Sequence, residues 1–145
     1  MDLLTALKIS ASGLAAQRTR LNVLSSNLAN AHTTRSADGT GPFRRKDPVF
    51  MEVKGDEFGK QLDKASKEIS GVEVSEVRED ARPGERIYDP SHPDADKEGY
   101  VNMPNVNVVT ELTDIMATSR SYEANITAMR AAKEMIQAAL QIGRG

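Results

Sequence analysis

LLTALKISASGLAAQRTRLNVLSSNL, residues 3–28, is the stretch from which the architecture of this chain follows. Leucine returns at every seventh position, at Leu7, Leu14, Leu21 and Leu28, and two further leucines, Leu3 and Leu24, add to the same stripe. Because an α-helix completes a turn in about 3.6 residues, this spacing keeps one narrow apolar face toward a partner. The pattern predicts a long first helix, from Leu3 to about Ala31, that packs lengthwise against another helix.

The other end of the chain carries a matching pattern. Its seam alternates steps of four and three residues, through Val108, Leu112, Ile115, Ser119, Tyr122, Ile126, Met129, Lys133, Ile136 and Leu140. We expect a second helix from Asn107, a good N-cap residue, to Ile142, with Gly143 ending it. Ser119 and Lys133 are polar positions on this seam. They either fix register and partner number or mark places where the seam meets water.

The middle of the chain is of a different character. All six prolines lie between positions 42 and 104, and proline is not tolerated inside a helix. Alternating valines predict short strands at 49–53 and 72–77, and helical spacing predicts a short amphipathic helix at 56–69. Turns and extended chain are expected over 88–100.

These elements predict a mainly α protein with long N- and C-terminal helices that form a coiled coil. A small β-containing irregular segment separates them. The expected division is an N-terminal helix in residues 1–35, a middle segment in 36–105 and a C-terminal helix in 106–145. Helices built to pair suggest a protein whose work is assembly.

Composition limits the class of protein. The chain has 145 residues, no cysteine, few aromatic residues and a net charge of -2. The missing cysteines exclude disulfides and thiolate zinc sites, and the charge disfavours binding to nucleic acid or an acidic membrane. No run of about 20 apolar residues is present, so we expect no membrane span. Residues 1–16 lack the continuous apolar centre of a secretory signal.

Candidate catalytic groups are few. His32 and His92 have no accompanying nucleophile-elbow pattern, and there is no glycine-rich phosphate loop. Glu79 and Asp80 form a carboxylate pair that a glycosidase could use, although solvation is the simpler interpretation in so charged a segment. We predict no catalytic, cofactor-binding or metal site.

Each of two charged segments can be interpreted either as a solvated turn or as a binding site. Four residues fall at relative positions 1, 3, 5 and 6 of an EF-hand loop: Asp94, Asp96, Glu98 and Gly99. The twelfth position is Asn105 instead of the bidentate glutamate, which favours a solvated acidic turn. The basic cluster at 44–46, beside Phe43, is either a solvated turn or a contact for an acidic partner or polyanion.

The residues now carry a family resemblance. Ser25-Ser-Asn-Leu-Ala-Asn-Ala-His-Thr-Thr34, followed by the aromatic and basic patch at 43–46, resembles the N-terminal signature of flagellar axial proteins, the rod, hook and hook-associated family. Ser119-Arg-Ser-Tyr-Glu-Ala-Asn125 is similar to their C-terminal helix. Tyr88-Asp-Pro-Ser-His-Pro-Asp-Ala-Asp96, with Gly99-Tyr-Val-Asn-Met-Pro-Asn-Val-Asn-Val-Val109, resembles the proximal rod members. The family motif residues are Asn27, Asn30, Thr33, Tyr122 and Asn125.

The resemblance implies a place and a set of partners. Axial proteins put their terminal helices in the inner layer of a tube around the export channel, and the rod crosses the periplasm to transmit motor torque to the hook. The implied partners are other rod proteins, the rod–membrane-ring junction protein and the flagellar type III export apparatus. The implied state is a hetero-oligomeric helical assembly with no nucleic acid and no cofactor.

We therefore interpret the chain as a structural subunit of the flagellar proximal rod in the basal body. The alternatives are another axial protein, a cytoplasmic coiled-coil adaptor, and a cell-wall hydrolase that uses the carboxylates of the middle segment. The residues expected to carry helix and subunit packing are Leu7, Leu14, Leu21, Leu24, Leu28, Leu112, Ile115, Tyr122, Ile126, Met129, Ile136 and Leu140.

Overall fold

The computed structural model describes residues 3–36, 39, 41–53 and 70–143. Two long helices and a small β-containing middle segment make up the fold, and both features are as predicted. Helix α1 spans Leu3–Ala29 and helix α2 spans Val108–Ile142. The short helix predicted at 56–69 lies outside the described residues.

Both helices end with local hydrogen bonds to their exposed backbone groups. Asn30 follows α1, and its side-chain amide donates to the carbonyl of Ser26 at 2.8 Å, which satisfies one of the last carbonyls. Asn107 caps α2 as predicted, since its Oδ1 accepts from the amide of Thr110 at 3.1 Å. At the other end, the amide of Gly143 donates to the carbonyl of Ala139 at 3.2 Å.

The middle segment contains two small sheets. Strands β1, Lys46–Val53, and β2, Gly71–Glu79, pair with each other and extend the two strands that the sequence predicted. Strands β3, Arg86–Tyr88, and β4, Tyr100–Asn102, form a second, antiparallel sheet with Ile87 opposite Val101. Over 88–100 the sequence predicted only turns and extended chain, so this hairpin was missed.

Gly99 explains how the second hairpin closes. It adopts a φ of 84°, a conformation open mainly to glycine. A Cβ there would also lie 2.9 Å from the ring of Tyr88. The ring of Tyr88 packs edge-on against that of Tyr100, with centroids 5.2 Å apart. The turn and the aromatic pair therefore depend on a residue without a side chain.

The chain divides into two compact units, each assembled from separate segments. The first consists of Met1–Thr19, Val49–Glu76 and Thr118–Gly145. Among the residues described in this unit, small side chains provide the buried positions, at Ala16, Thr118 and Ala132. Within it, Ser12 Oγ accepts from the amide of Val72 at 3.2 Å, and a Cβ on Gly13 would lie 3.1 Å from Nδ2 of Asn125.

The second unit consists of Arg20–Pro48 and Val77–Ala117. Leu24, Ala31 and Val101 are its buried apolar residues. Asn27 and Glu111 are fully buried beside this apolar core, which is unusual for an amide and a carboxylate. The boundary between the two units falls inside α1 and inside α2. The segment boundaries predicted at 35 and 105 concern layers of an assembled protein, and they remain a prediction.

Neither α1 nor α2 has a stretch apolar enough to cross a membrane, and no other helix occurs among the residues described.

Candidate functional site

The buried polar groups of the second unit are built around Asn27 on α1. Its side-chain amide forms two hydrogen bonds with the backbone of Lys46, the first residue of β1. Nδ2 donates to the Lys46 carbonyl at 2.8 Å, and Oδ1 accepts from the Lys46 amide at 2.9 Å. This two-point contact joins the last turns of α1 to the first residue of β1 and satisfies backbone groups at both partners.

Glu111, in the first turn of α2, is the second member of the cluster. Its Oε2 accepts from Nδ2 of Asn27 at 3.1 Å, and its Oε1 accepts from Nε of Arg45 at 2.5 Å. Since a buried carboxylate is costly unless it is paired and hydrogen-bonded, these two donors explain how a fully buried glutamate is accommodated.

Arg45 is the third member. Burial opposes its charge, but hydrogen bonding and attraction from Glu111, with a further contribution from Asp47, outweigh burial and raise the pKa of Arg45 above its ordinary value. Its backbone is equally committed: the amide donates to Asn105 Oδ1 at 3.1 Å, and the carbonyl accepts from the amide of Asp80 at 2.7 Å. Arg45 therefore links four segments of the second unit.

The interpretation of the basic cluster at 44–46 is wrong for one of its residues, Arg45. Neither a solvated turn nor an external acidic partner describes Arg45, whose side chain is 16% exposed and whose acidic partner lies in the same chain. Arg44 is exposed, and the Lys46 ammonium lies 5.9 Å from the centre of the Phe43 ring. The interpretation failed because Glu111 lies 66 positions away in the sequence.

The remaining motif residues build the turn after α1 and a contact on α2. Thr33 Oγ1 donates to Asn30 Oδ1 at 3.1 Å, and the Thr33 carbonyl accepts from the amide of Phe43 at 3.0 Å. Tyr122 is half-buried, and the amide of Asn125 lies against Gly13 in the first unit. Asn27 is the motif residue with the most extensive buried contacts.

The aspartates of the acidic segment at 94–98 accept hydrogen bonds from other residues of the chain. The pKa of Asp96 lies below its ordinary value, chiefly because the carboxylate accepts from the amide of Tyr100, and Arg86 also donates to it at 2.7 Å. The pKa of Asp94 is lowered first by a hydrogen bond from Thr34 and then by Arg35. Among the described residues, no group of three or more acidic or imidazole side chains could hold a metal ion.

The carboxylate pair that a hydrolase could use is engaged in ion pairs. Arg82 donates to Asp80 and lowers the pKa of that carboxyl to about 2. Glu79 lies 3.9 Å from the ammonium of Lys46. A carboxyl with such a pKa stays ionised at neutral pH, so Asp80 is unsuited to the general-acid role that glycoside hydrolysis requires.

The predicted packing residues occupy three kinds of environment. Leu24 is buried. A second group is half-buried: Leu7, Leu14, Leu21, Leu28, Ile115, Tyr122, Ile126, Met129 and Ile136. Leu112 and Leu140 are 46% and 64% exposed. Because the prediction covers packing between subunits as well as within one, it remains a prediction for this set.

The line of buried residues along α2 is displaced by one position from the apolar seam that the sequence predicted. Its buried residues are Glu111, Thr118 and Ala132, each a multiple of seven from the next. Beside this line, Val109, Leu112 and Met116 leave 72%, 46% and 59% of their surfaces exposed. We call these three residues the α2 apolar stripe. Glu111 was missed because apolar periodicity gives no weight to a carboxylate, although its spacing from Val108 and Ile115 fits a helix seam.

Comparison with known proteins gives a consistent result. Residues 7–35 match the family model described as flagella basal body rod protein. Residues 97–142 match the model described as flagellar basal body rod FlgEFG protein C-terminal. The two matches contain Asn27 and Glu111 respectively.

Similarity to individual relatives extends over nearly the whole chain. The flagellar basal-body rod protein FlgC of Bacillus subtilis is 46% identical, over 95% of this chain and 96% of its own length. The proteins of the same name from Borreliella burgdorferi and Salmonella typhimurium are 39% and 43% identical. They cover 100% and 99% of this chain and 100% of their own lengths.

Proposed function

This chain belongs to the flagellar basal-body rod proteins of the FlgC type, and from that premise we propose how it contributes to the rod. It is a structural subunit of the rod of the bacterial flagellar basal body, not an enzyme. The observation that carries this conclusion is the alignment of rod proteins over 95–100% of the chain.

We propose that α1 and α2 pair antiparallel along their lengths as an intramolecular coiled coil. Two contacts support this arrangement, each within one compact unit. Gly13 lies against Asn125, and Asn27 donates to Glu111. From Gly13 to Asn27 the chain advances by fourteen positions, and from Asn125 to Glu111 it goes back by fourteen. Equal steps in opposite directions fit two helices paired in one antiparallel register.

The α2 apolar stripe is the part of this arrangement that we assign to neighbouring subunits. Its three members lie at helical spacing and remain exposed in the subunit. Burial of such side chains contributes about 25 cal/mol per Å² of apolar surface. Leu140, near the end of α2, belongs to the same class of exposed apolar residue. Assembly would therefore cover apolar surface that the single chain leaves in water.

The resemblance to axial proteins supports a proposal about the place of the subunit within the rod. We propose that residues 1–35 and 106–145 lie in the inner layer of the proximal rod, around the export channel, and that residues 36–105 lie outside it. The expected partners are other rod proteins, the rod–membrane-ring junction protein and the flagellar type III export apparatus. In this position the subunit passes motor torque across the periplasm to the hook.

Purified basal bodies test the proposal. Hook–basal bodies are isolated with detergent from cells that express the chain at its native level, and their proteins are identified by mass spectrometry. The proposal predicts recovery of this chain with the rod fraction, at a constant ratio to other rod proteins. Recovery in the cytosolic fraction alone, with intact basal bodies that lack it, would contradict the proposal and favour a cytoplasmic adaptor.

A further inference from the structure

The buried cluster formed by Asn27, Arg45 and Glu111 connects three elements in a closed ring. Asn27 on α1 is bonded to the backbone of Lys46 and to Glu111. Glu111 on α2 is bonded to Arg45, the residue before Lys46 on the chain. Each element is thus tied to both others, and Asn27 and Glu111 have no exposed surface. We call these three residues the polar lock.

Of the contacts between α1 and α2, those of the polar lock are the ones whose loss costs the most free energy. An apolar side chain in a helix seam can exchange one partner for another with a small change in free energy. A buried carboxylate that loses its donors keeps the cost of its desolvation, so arrangements that separate it from them are disfavoured. A single buried polar residue in a coiled coil is known to select register in this way.

The positions related to Glu111 by whole heptads cannot replace it. Along α2, the equivalents of Glu111 are Thr118, Asn125 and Ala132, none of which is a carboxylate. If α1 slipped by seven residues in one direction, Asn27 would face Thr118. A slip in the other direction would place Asn27 opposite Pro104, before α2 begins. Both slips separate Asn27 from Glu111.

We propose that the polar lock selects the register in which α1 and α2 pair, with Glu111 as the residue that decides among the alternatives. The proposal rests on the antiparallel pairing set out under the proposed function. The leucine heptads of α1 supply affinity that is nearly the same in several registers, because they repeat. The lock occurs once, and therefore makes one register different from the rest.

The absence of cysteine from the chain allows the register to be read directly. Gly13→Cys is combined in turn with Asn125→Cys, Thr118→Cys or Ala132→Cys, and disulfide formation in the purified full-length chain is scored by gel mobility. Asn125 Cγ lies 3.5 Å from the place of a Cβ at position 13, within reach of a disulfide. The other two pairs report slips of one heptad in either direction.

The decisive variant carries Glu111→Leu with Arg45→Met, which replaces the ion pair by apolar groups of similar size. Such replacements commonly preserve the fold, and far-UV circular dichroism verifies the helices. With the lock intact, the pair 13/125 should dominate. In the variant, its excess over the pairs 13/118 and 13/132 should fall roughly tenfold, the ratio that one charge-assisted hydrogen bond supports.

Each outcome has a defined meaning. A helical variant that still forms only the 13/125 disulfide overturns the register assignment. If the double variant loses its helices, Glu111→Gln is used, with exposed Glu123→Gln on the same helix as its matched control. The assignment then predicts a smaller redistribution for Glu111→Gln alone, and identical yields in these two variants overturn it. If the chain with an intact lock forms no 13/125 disulfide, the helix pairing itself is wrong.

Discussion

The two long helices use their side chains in different ways. The repeated leucines of α1 are buried or half-buried within the single chain, and its most buried large apolar residue is Leu24. Helix α2 buries Glu111 and Thr118, yet it leaves the α2 apolar stripe in solvent. We therefore propose that the leucines of α1 pack mainly inside the subunit, whereas the exposed apolar residues of α2 contact other subunits.

The largest expected effect comes from a charge on the apolar face of α1. Leu21→Asp places a charged carboxylate at a half-buried position of the leucine heptad, where partial removal from water is costly. We expect the chain to be made at normal levels while rod assembly and motility are lost. Motility assays and basal-body purification measure this outcome. Asn22→Asp adds the same charge at the exposed neighbouring position, and should swim normally. Normal swimming of the Leu21 variant would contradict the role given to α1.

The next effect concerns the buried charge of α2. Arg45→Met leaves Glu111 buried without its cation, and should lower the free energy of unfolding by about 3–5 kcal/mol, as removal of one partner of a buried pair does. Urea denaturation of the purified chain provides the measurement. Arg44→Met, at the exposed neighbouring position, should change stability by less than about 0.5 kcal/mol. Equal effects of the two substitutions would mean that the ion pair does not hold this end of α2.

A matched pair of leucine truncations separates the two helices directly. Leu24→Ala opens a cavity in the core of the second unit and should cost about 2–4 kcal/mol of stability. Leu112→Ala removes an exposed side chain and should cost less than about 1 kcal/mol in the isolated subunit. Thermal melts of both variants test this order. If the Leu112 substitution destabilises the isolated chain as much as the Leu24 substitution, the α2 apolar stripe is not available to neighbours.

The smallest effect lies outside both helices and concerns an ion pair whose cation, Arg82, is 80% exposed, in contrast to Arg45 beside Glu111. Arg82 lowers the pKa of Asp80 from 3.8 to about 2. Because the folded-state pKa is the lower one, this pair stabilises the fold above about pH 4, and the contribution is lost as the pH falls toward 2. Asp80→Asn should therefore slightly lower the melting temperature at pH 7 and lower it by much less at pH 2, where the carboxyl is already partly protonated. A difference from the natural chain that is as large at pH 2 as at pH 7 would exclude this pair as its source.

Local patterns made the helical part of the fold predictable. The leucine heptad of α1 and the cap at Asn107 act within a few residues of the positions they define. The valine alternation that predicted β1 and β2 is equally local. The hairpin of β3 and β4 was missed because its strands have three residues each, too few to show a period, and its turn depends on the backbone of Gly99.

The polar lock could not be predicted in the same way. Asn27 was singled out by the family motif, but its buried partners come from distant segments, with 84 positions between Asn27 and Glu111. Hydropathy treats all charged side chains as candidates for the surface, and a buried ion pair violates that rule only when the tertiary fold supplies both partners. The sequence therefore predicted the two long helices, but not the buried polar residues that bond α1 to α2.

Whether neighbouring subunits cover the α2 apolar stripe can be measured on the assembled rod. Val109→Cys and Met116→Cys place single thiols in the α2 apolar stripe of a chain that has no other cysteine. Maleimide labelling is compared between the purified subunit and detergent-isolated basal bodies, with Arg44→Cys as the exposed control. We predict that both stripe positions label rapidly in the subunit and are protected in basal bodies. Equal labelling of the stripe in the two states would show that neighbouring subunits do not cover it, and would contradict the account.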